Sequence, residues 1–251
     1  MEANLKNIYE IQIEYAGLGD YLFFSPLPRL LKNADPNSKV FVVLSKKPRS
    51  QEVLDIVWRL NPYVDGVLFG KASKCKLEPI ELSGQENILS KNAKLFGLSV
   101  TDELSPEIYV NLPDELHAEH GKIVVDLNYK SFVGAINLGK ILKDIKIEFQ
   151  KDEIILVNSK AMNSYQTTSF IDYIHLIRDA KKFVCLTSGG ATLAAALNKN
   201  SICYYGFGQK KIFHHHSGHE YRKSSYGLIV DLPLTFLLKT RNKFRELINV
   251  K

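Results

Sequence analysis

The chain has 251 residues, 45% of them hydrophobic and 24% charged, an ordinary globular composition with material for one large domain or two small ones. Its formal charge of +6 favours an anionic partner, but no RNA- or DNA-reading motif accompanies the scattered Lys and Arg, so nucleic acid is not expected. No signal-peptide pattern opens the chain, no apolar run approaches the roughly 20 residues of a membrane span, and Cys75, Cys185 and Cys203 form no CxxC pair; a reducing, cytoplasmic setting is expected.

Strand-like and helix-like segments then alternate, the pattern of parallel sheets with helices on both faces. Residues 8–13 read as a buried strand running into Ala16-Gly17-Leu18-Gly19-Asp20. A helix to about residue 33 follows, and Pro26 and Pro28 require it to start late or bend. Residues 40–44 make a strand, 51–60 a helix, and 67–69 a third strand, completing a βαβαβ unit. A helix is expected over 84–97, and weak periodicity with Pro106 and Pro113 puts the boundary between halves at 110/111. The second half reads as strand 123–127, helix 135–143, strand 154–157, helix 168–180, strand 183–186, the turn Thr187-Ser188-Gly189-Gly190, helix 191–198 and strand 202–205. An irregular loop (206–226), a short strand (228–230) and a helix (232–248) close the chain.

Three blocks carry a family resemblance. The run from Gly19-Asp20 through Pro26-Leu27-Pro28 to Leu30-Leu31-Lys32 resembles the N-terminal signature of the heptosyltransferase family of GT-B glycosyltransferases. Asn61-Pro62-Tyr63-Val64-Asp65 is similar to that family's link into its third strand. Residues 174–206 resemble its donor block, a helix, a strand and a Gly turn followed by Leu193-Ala194-Ala195-Ala196-Leu197. The chain departs from the family in two places. Thr187-Ser188-Gly189 stands where Asp-Thr-Gly is usual, and Thr192 where a His is usual, which argues against ADP-heptose as donor. The chain is also shorter than such enzymes.

The resemblance implies an α/β, GT-B-like fold of two Rossmann-like halves whose parallel sheets face a cleft. Residues 1–110 would form the acceptor side and 111–251 the nucleotide-sugar donor side. It further implies inverting transfer from a nucleotide-diphosphate sugar, the co-substrate, with no metal and no other cofactor. The acceptor would be a glycan or glycolipid of the lipopolysaccharide or capsule type, made with peripheral contact to the inner membrane surface.

Within that frame the residues offer specific chemistry. At the donor turn, Gly189 and Gly190 let backbone amides approach a diphosphate, the helix start adds partial positive charge, and Thr187, Ser188 and Thr192 supply hydroxyls. The competing reading is a Ser188 cap with glycines packed on the sheet. By resemblance Asp20 is the base that deprotonates the acceptor, with Gly17 and Gly19 shaping an acceptor-side turn; an N-cap aspartate is the alternative. The stretch 210–223 offers Lys210, His214 and His216 as phosphate or sugar contacts, with Lys211, Arg222 and Lys223 as further cations. His215 or His216 with His219 and Glu220 is a weaker metal pattern, and an exposed loop is the plain alternative. Lys130, after the first strand of the second half, is a phosphate candidate. His117 and His120 read as a solvated linker helix before a metal pair, His175 as a packed or surface residue, and Trp58 as core.

Two further readings stay open. One is a non-catalytic nucleotide-sugar binder of the same fold; the other, a metal-dependent hydrolase built on the histidines.

Overall fold

A computed structural model describes residues 7–72, 87–99, 104–130, 132–159, 164–209 and 216–248. The chain divides into two compact units, Met1–Leu112 and Pro113–Lys251. Each is α/β with an all-parallel sheet, as a two-Rossmann reading requires.

In the first unit β1 (Ile8–Ile13), β2 (Lys39–Leu44) and β3 (Gly66–Phe69) lie side by side in that order. Their β-branched runs are packed by helices: Ile11, Ile13, Val40 and Val42 are almost completely buried. The segment after β1 is broken where the prolines demanded it. A short helix α1 (Leu18–Leu22) ends in a turn, and α2 (Leu27–Ala34) starts anew with Pro26 at its N-cap and Pro28 in its first turn, where the missing N–H costs nothing. After β2, α3 (Gln51–Leu54) is capped by Ser50 Oγ and continues as a π turn, Asp55–Arg59, which brings Trp58 into the core against Tyr21 with ring centroids 6.1 Å apart. The helix expected over 84–97 is α4 (Ile88–Leu95), capped by Asn87. Gln12 ties the strand ends together. Its Nε2 donates to Ser45 Oγ (2.6 Å) and Val43 O (3.2 Å), and its Oε1 accepts from Ala72 N.

The second unit has five strands in the order β5-β4-β6-β7-β8: β4 (Ile123–Asp126), β5 (Ile154–Leu156), β6 (Lys182–Leu186), β7 (Ser201–Tyr205) and β8 (His219–Lys223). Helix α5 (Leu138–Glu148) packs Ile141 and Ile145 onto Ile123, Val125, Val184 and Leu186. Helices α6 (Phe170–Asp179), α7 (Gly189–Ala196) and α8 (Leu228–Ile248) complete the unit. Cys185 and Cys203 are paired in register on β6 and β7, buried and free, with sulfurs 3.6 Å apart.

Four expectations are corrected here. The helix placed over 135–143 starts at Leu138, because Ala135 is held in an antiparallel bridge to Phe207 and Asn137 caps the helix through Lys140 N. The loop over 206–226 contains β8, a charged edge strand with no apolar alternation to announce it. The strand at 228–230 is the first turn of α8, fixed by Asp231, whose carboxylate accepts from Tyr226 N and Gly227 N. The linker helix carrying His117 and His120 is a turn, and its two histidines part ways. His120 is exposed, while His117 is buried against α6, with Nε2 2.9 Å from Asp172 Oδ1 and Nδ1 accepting from Glu119 N.

Candidate functional site

The strand order of the second unit decides where its site lies. From β4 the chain goes to β5 on one side and then crosses to β6 on the other. The crevice at the C-terminal ends of β4 and β6 is therefore the topological switch point, where open α/β sheets take ligands. Two loops flank it, Leu127–Lys130 after β4 and Thr187–Ser188 after β6.

The β6 loop turns directly into α7. Ser188 occupies the N-cap position in an extended conformation (φ −132°, ψ −173°), and its hydroxyl makes no capping hydrogen bond. The cap reading of Ser188 is thus corrected: the residue stands in the position but does not do the work. Gly189 and Gly190 open the helix, so their amides belong to the first turn, which has no intrahelical acceptors. Thr187 is buried, its amide donates to Tyr204 O at 3.0 Å, and its Oγ1 has no hydrogen-bond partner. A helix start with an uncommitted serine, two glycine amides and an orphaned buried hydroxyl suits an anionic, hydrogen-bond-accepting ligand. Thr192 lies one turn further in, buried, with its hydroxyl 3.5 Å from Ser188 O.

Gly190 is required by what lies beneath it. A Cβ there would stand 2.7 Å from Tyr173 Oη and 3.6 Å from Asp126 Oδ2. Tyr173, from α6, donates to Asp126 Oδ2 at 2.5 Å, and Asn128 donates to Asp126 Oδ1 from its amide (2.9 Å) and side chain (2.8 Å). Asn128 Nδ2 also reaches Val157 O at the end of β5. Burial pushes the Asp126 carboxyl above its ordinary value, with the Tyr173 and Asn128 hydrogen bonds pulling the other way. Both oxygens are in use, so Asp126 positions the β4 loop and the α6–α7 contact. Sequence reading missed Asp126 and Tyr173; the only available signal was an acidic residue closing an otherwise apolar strand.

His219 supports α7 from the other side. It is buried at the start of β8, and Nε2 lies 2.9 Å from Ala191 O, so Nε2 carries the proton. Burial lowers its pKa to about 4, which keeps the ring neutral. His216 packs edge-on against it, centroids 4.8 Å apart, and is likewise buried. These histidines stand behind the helix that carries the donor turn, a different role from the surface phosphate contact expected of His216. Lys210 and His214, with Lys211 and His215, lie outside the described residues. Lys130 is exposed in the β4 loop. Among the described residues no three His, Cys, Asp or Glu side chains converge as a metal set. The loops after β4 and β7 are stitched together, Gly206 N to Val133 O at 2.8 Å and Phe207 N to Ala135 O at 2.9 Å. Gly134 and Gly206 permit that approach, since a Cβ on either would strike the opposing backbone within 2.7 Å.

The first unit presents a second strand-to-helix turn. Asp20 is the third residue of α1 and not its N-cap; its Oδ2 reaches back to accept from Gly17 N at 3.0 Å. A Cβ on Gly17 would lie 2.6 Å from that oxygen, so the glycine makes the contact possible. Burial raises the Asp20 pKa, opposed by the Gly17 amide and by the charges of Arg49 and Lys46 in the loop after β2. Gly19 sits within α1, its carbonyl accepting from Phe23 N. A carboxylate at a strand's C-terminal edge, with raised basicity and cations beside it, has the properties of a general base beside an anionic substrate.

No family model matches the sequence, and no curated protein matches it. Solved structures do. A glycosyl transferase of family 9 from Veillonella parvula DSM 2008 is 11% identical with a TM-score of 0.62, over 90% of this chain and 87% of that one. The dodecameric, iron-containing glycosyltransferase TibC from enterotoxigenic E. coli H10407 is 13% identical with a TM-score of 0.62, over 90% of this chain but only 65% of that longer one. The E. coli heptosyltransferase WaaC, solved with ADP-2-deoxy-2-fluoro heptose, is 13% identical with a TM-score of 0.54, over 95% and 99%. The chain has the GT-B fold of these glycosyltransferases, in agreement with the resemblance its three sequence blocks carry.

Proposed function

We propose that the chain is an inverting glycosyltransferase that moves a sugar from a nucleotide-diphosphate sugar to a hydroxyl of a surface-glycan or lipopolysaccharide-type acceptor. The observation that carries this reading is the start of α7 at the switch point: an uncapped Ser188, the Gly189 and Gly190 amides and the unpartnered Thr187 hydroxyl. Structural likeness to enzymes solved with ADP or an ADP-heptose analogue supports it.

In this mechanism the acceptor oxygen attacks the anomeric carbon while Asp20 takes its proton. The bond from that carbon to the diphosphate breaks, and the electron pair leaves with the diphosphate, whose growing charge is met by the α7 amides and hydroxyls. Lys46 and Arg49 beside Asp20 would favour an acceptor carrying phosphate or another anion. No metal is needed, because the leaving group is stabilised by helix and hydroxyls. The reaction belongs in the cytoplasm, where nucleotide sugars are made, at the acceptor-bearing membrane face.

A second reading, a binder that no longer turns over, is favoured by one contact: the Asp20 carboxylate is engaged with Gly17 N. The experiment for the donor site is a thermal-shift screen of ADP-, GDP-, UDP-, CMP- and dTDP-sugars, since a ligand of the folded state alone raises the midpoint. One nucleotide class should stabilise the chain, and Ser188→Glu should weaken that ligand about 100-fold, the effect of a charge-assisted contact turned repulsive. No shift with any nucleotide sugar in folded protein would end the reading.

A further inference from the structure

Asp126 closes β4 and stands under the start of α7. It is 8% exposed, and a Cβ on Gly190 would come within 3.6 Å of its Oδ2. Its hydrogen-bond donors are neutral: the Tyr173 hydroxyl on Oδ2, and the Asn128 amide and side chain on Oδ1. Among the described residues the elements packed around it bring no cation to bear on it. From α6 comes Tyr173 and from β6, in register, Cys185; burial pushes both well above their ordinary values, so phenol and thiol stay neutral. From α7 comes Gly190, and β5 contributes the Val157 carbonyl through Asn128 Nδ2.

An ionised Asp126 therefore sets a full negative charge behind a helix start that carries only about half a positive one. The inference rests on reading that start as the diphosphate seat, which puts further negative charge in front of it. Thr187 supports that reading independently, being 2% exposed with an unpartnered Oγ1. A proton on Asp126 removes the conflict, and the local geometry accommodates one. A phenol oxygen accepts as well as donates, so Oδ2–H can donate to Tyr173 Oη across the same 2.5 Å contact while Asn128 keeps its bonds to Oδ1. Burial already weights the carboxyl toward its neutral form, against the pull of those donors.

We propose that Asp126 is the proton-linked positioning residue of the donor site, taking up a proton when a nucleotide diphosphate settles on the start of α7 and releasing it when the nucleotide leaves. The proton comes from solvent and goes to Oδ2; no other bond forms or breaks.

The full chain is titrated calorimetrically with ADP-glucose, GDP-mannose, UDP-glucose, CMP-sialic acid and dTDP-glucose in turn. The titrations run between about pH 5 and pH 8, where a carboxyl raised by burial exchanges its proton, in buffers of different ionisation enthalpy. Affinity should fall by up to about tenfold per pH unit as pH rises from the free to the bound pKa of Asp126, and stay flat on either side. Asp126→Asn places an amide donor where Oδ2–H would stand. This variant should bind as the wild type does at low pH and hold that affinity as pH rises, whereas a purely structural role predicts weaker binding at every pH. The wild-type proton count less that of the variant isolates Asp126 from the histidines. If Asp126→Asn fails to fold by circular dichroism, Tyr173→Phe replaces it. Losing the donor to the ionised acid should move the falling limb to higher pH, and an unmoved limb overturns the inference. Binding with equal proton counts in wild type and Asp126→Asn overturns it too and leaves the nucleotide-sugar site standing; binding of none of the probes overturns both.

Discussion

Each unit turns from a strand into a helix at the C-terminal edge of a parallel sheet, yet the two turns spend their polar groups in opposite ways. After β1 the turn closes on itself: Asp20 swings back to Gly17 N, and the helix start is satisfied by its own acid. After β6 the turn stays open: Ser188 caps nothing, Thr187 Oγ1 has no partner, and the acid nearest the helix start, Asp126, is held by Tyr173 and Asn128. A closed turn can present a base without its own helix start drawing an anion. An open turn can attract an anion only because the nearby carboxylate is occupied. The same local architecture therefore suits acceptor activation in one unit and diphosphate binding in the other.

The largest effect expected from this contrast is at Asp20. Asp20→Asn keeps the size of the side chain and removes the base, so transfer should fall by about 10²–10⁴-fold while nucleotide-sugar affinity stays unchanged. Steady-state kinetics beside calorimetric binding separates the two, and retained transfer would leave Asp20 a helix-start residue only.

Gly17→Ala should act more gently on the same contact. The new methyl displaces the Asp20 carboxylate from the amide, costing about 1 kcal/mol of stability, the size of a lost cap. Because that amide lowers the Asp20 pKa, its loss should also move the acid limb of the transfer profile to higher pH. A limb that does not move would separate Asp20 from proton transfer.

The last effect belongs to the open turn's support and is read as a slope with pH. The folded chain holds the pKa of His219 at about 4, below its ordinary 6.5, so its contribution to stability is complete above pH 6.5 and is lost as pH falls toward 4. The total is at most about 3 kcal/mol. His219→Phe removes this titration, and denaturation midpoints followed between those pH values should fall less steeply than in the wild type. An equal slope would place the acid sensitivity elsewhere.

Much of this was legible in the residues because buried parallel strands are written plainly. Runs such as Val40–Leu44 and Phe183–Leu186 have no other use for so many β-branched and apolar side chains. The turn at Thr187–Gly190 was legible too as a break from strand into helix, since a glycine pair between such a strand and an alanine-rich helix marks a tight turn. What stayed hidden was decided by partners distant in sequence. Asp126 reads as one more acid until Tyr173 arrives from α6. His117 reads as solvated until Asp172 and Tyr165 close over it. The apolar start of α8 pointed to a short strand, because sequence reports that residues are apolar and not which way they face.

The second sheet ends on one side in β5, only three residues long, and on the other in β8, where Glu220, Arg222 and Lys223 line the rim and Arg222 is forked onto Glu148. Unpaired strand rims recruit stray chains, and short length and charge are the two ordinary deterrents. Among the described residues the sheet that holds the Thr187–Gly190 turn is therefore finished at five strands, and a nascent chain reaching β8 late seals it against growth into aggregates.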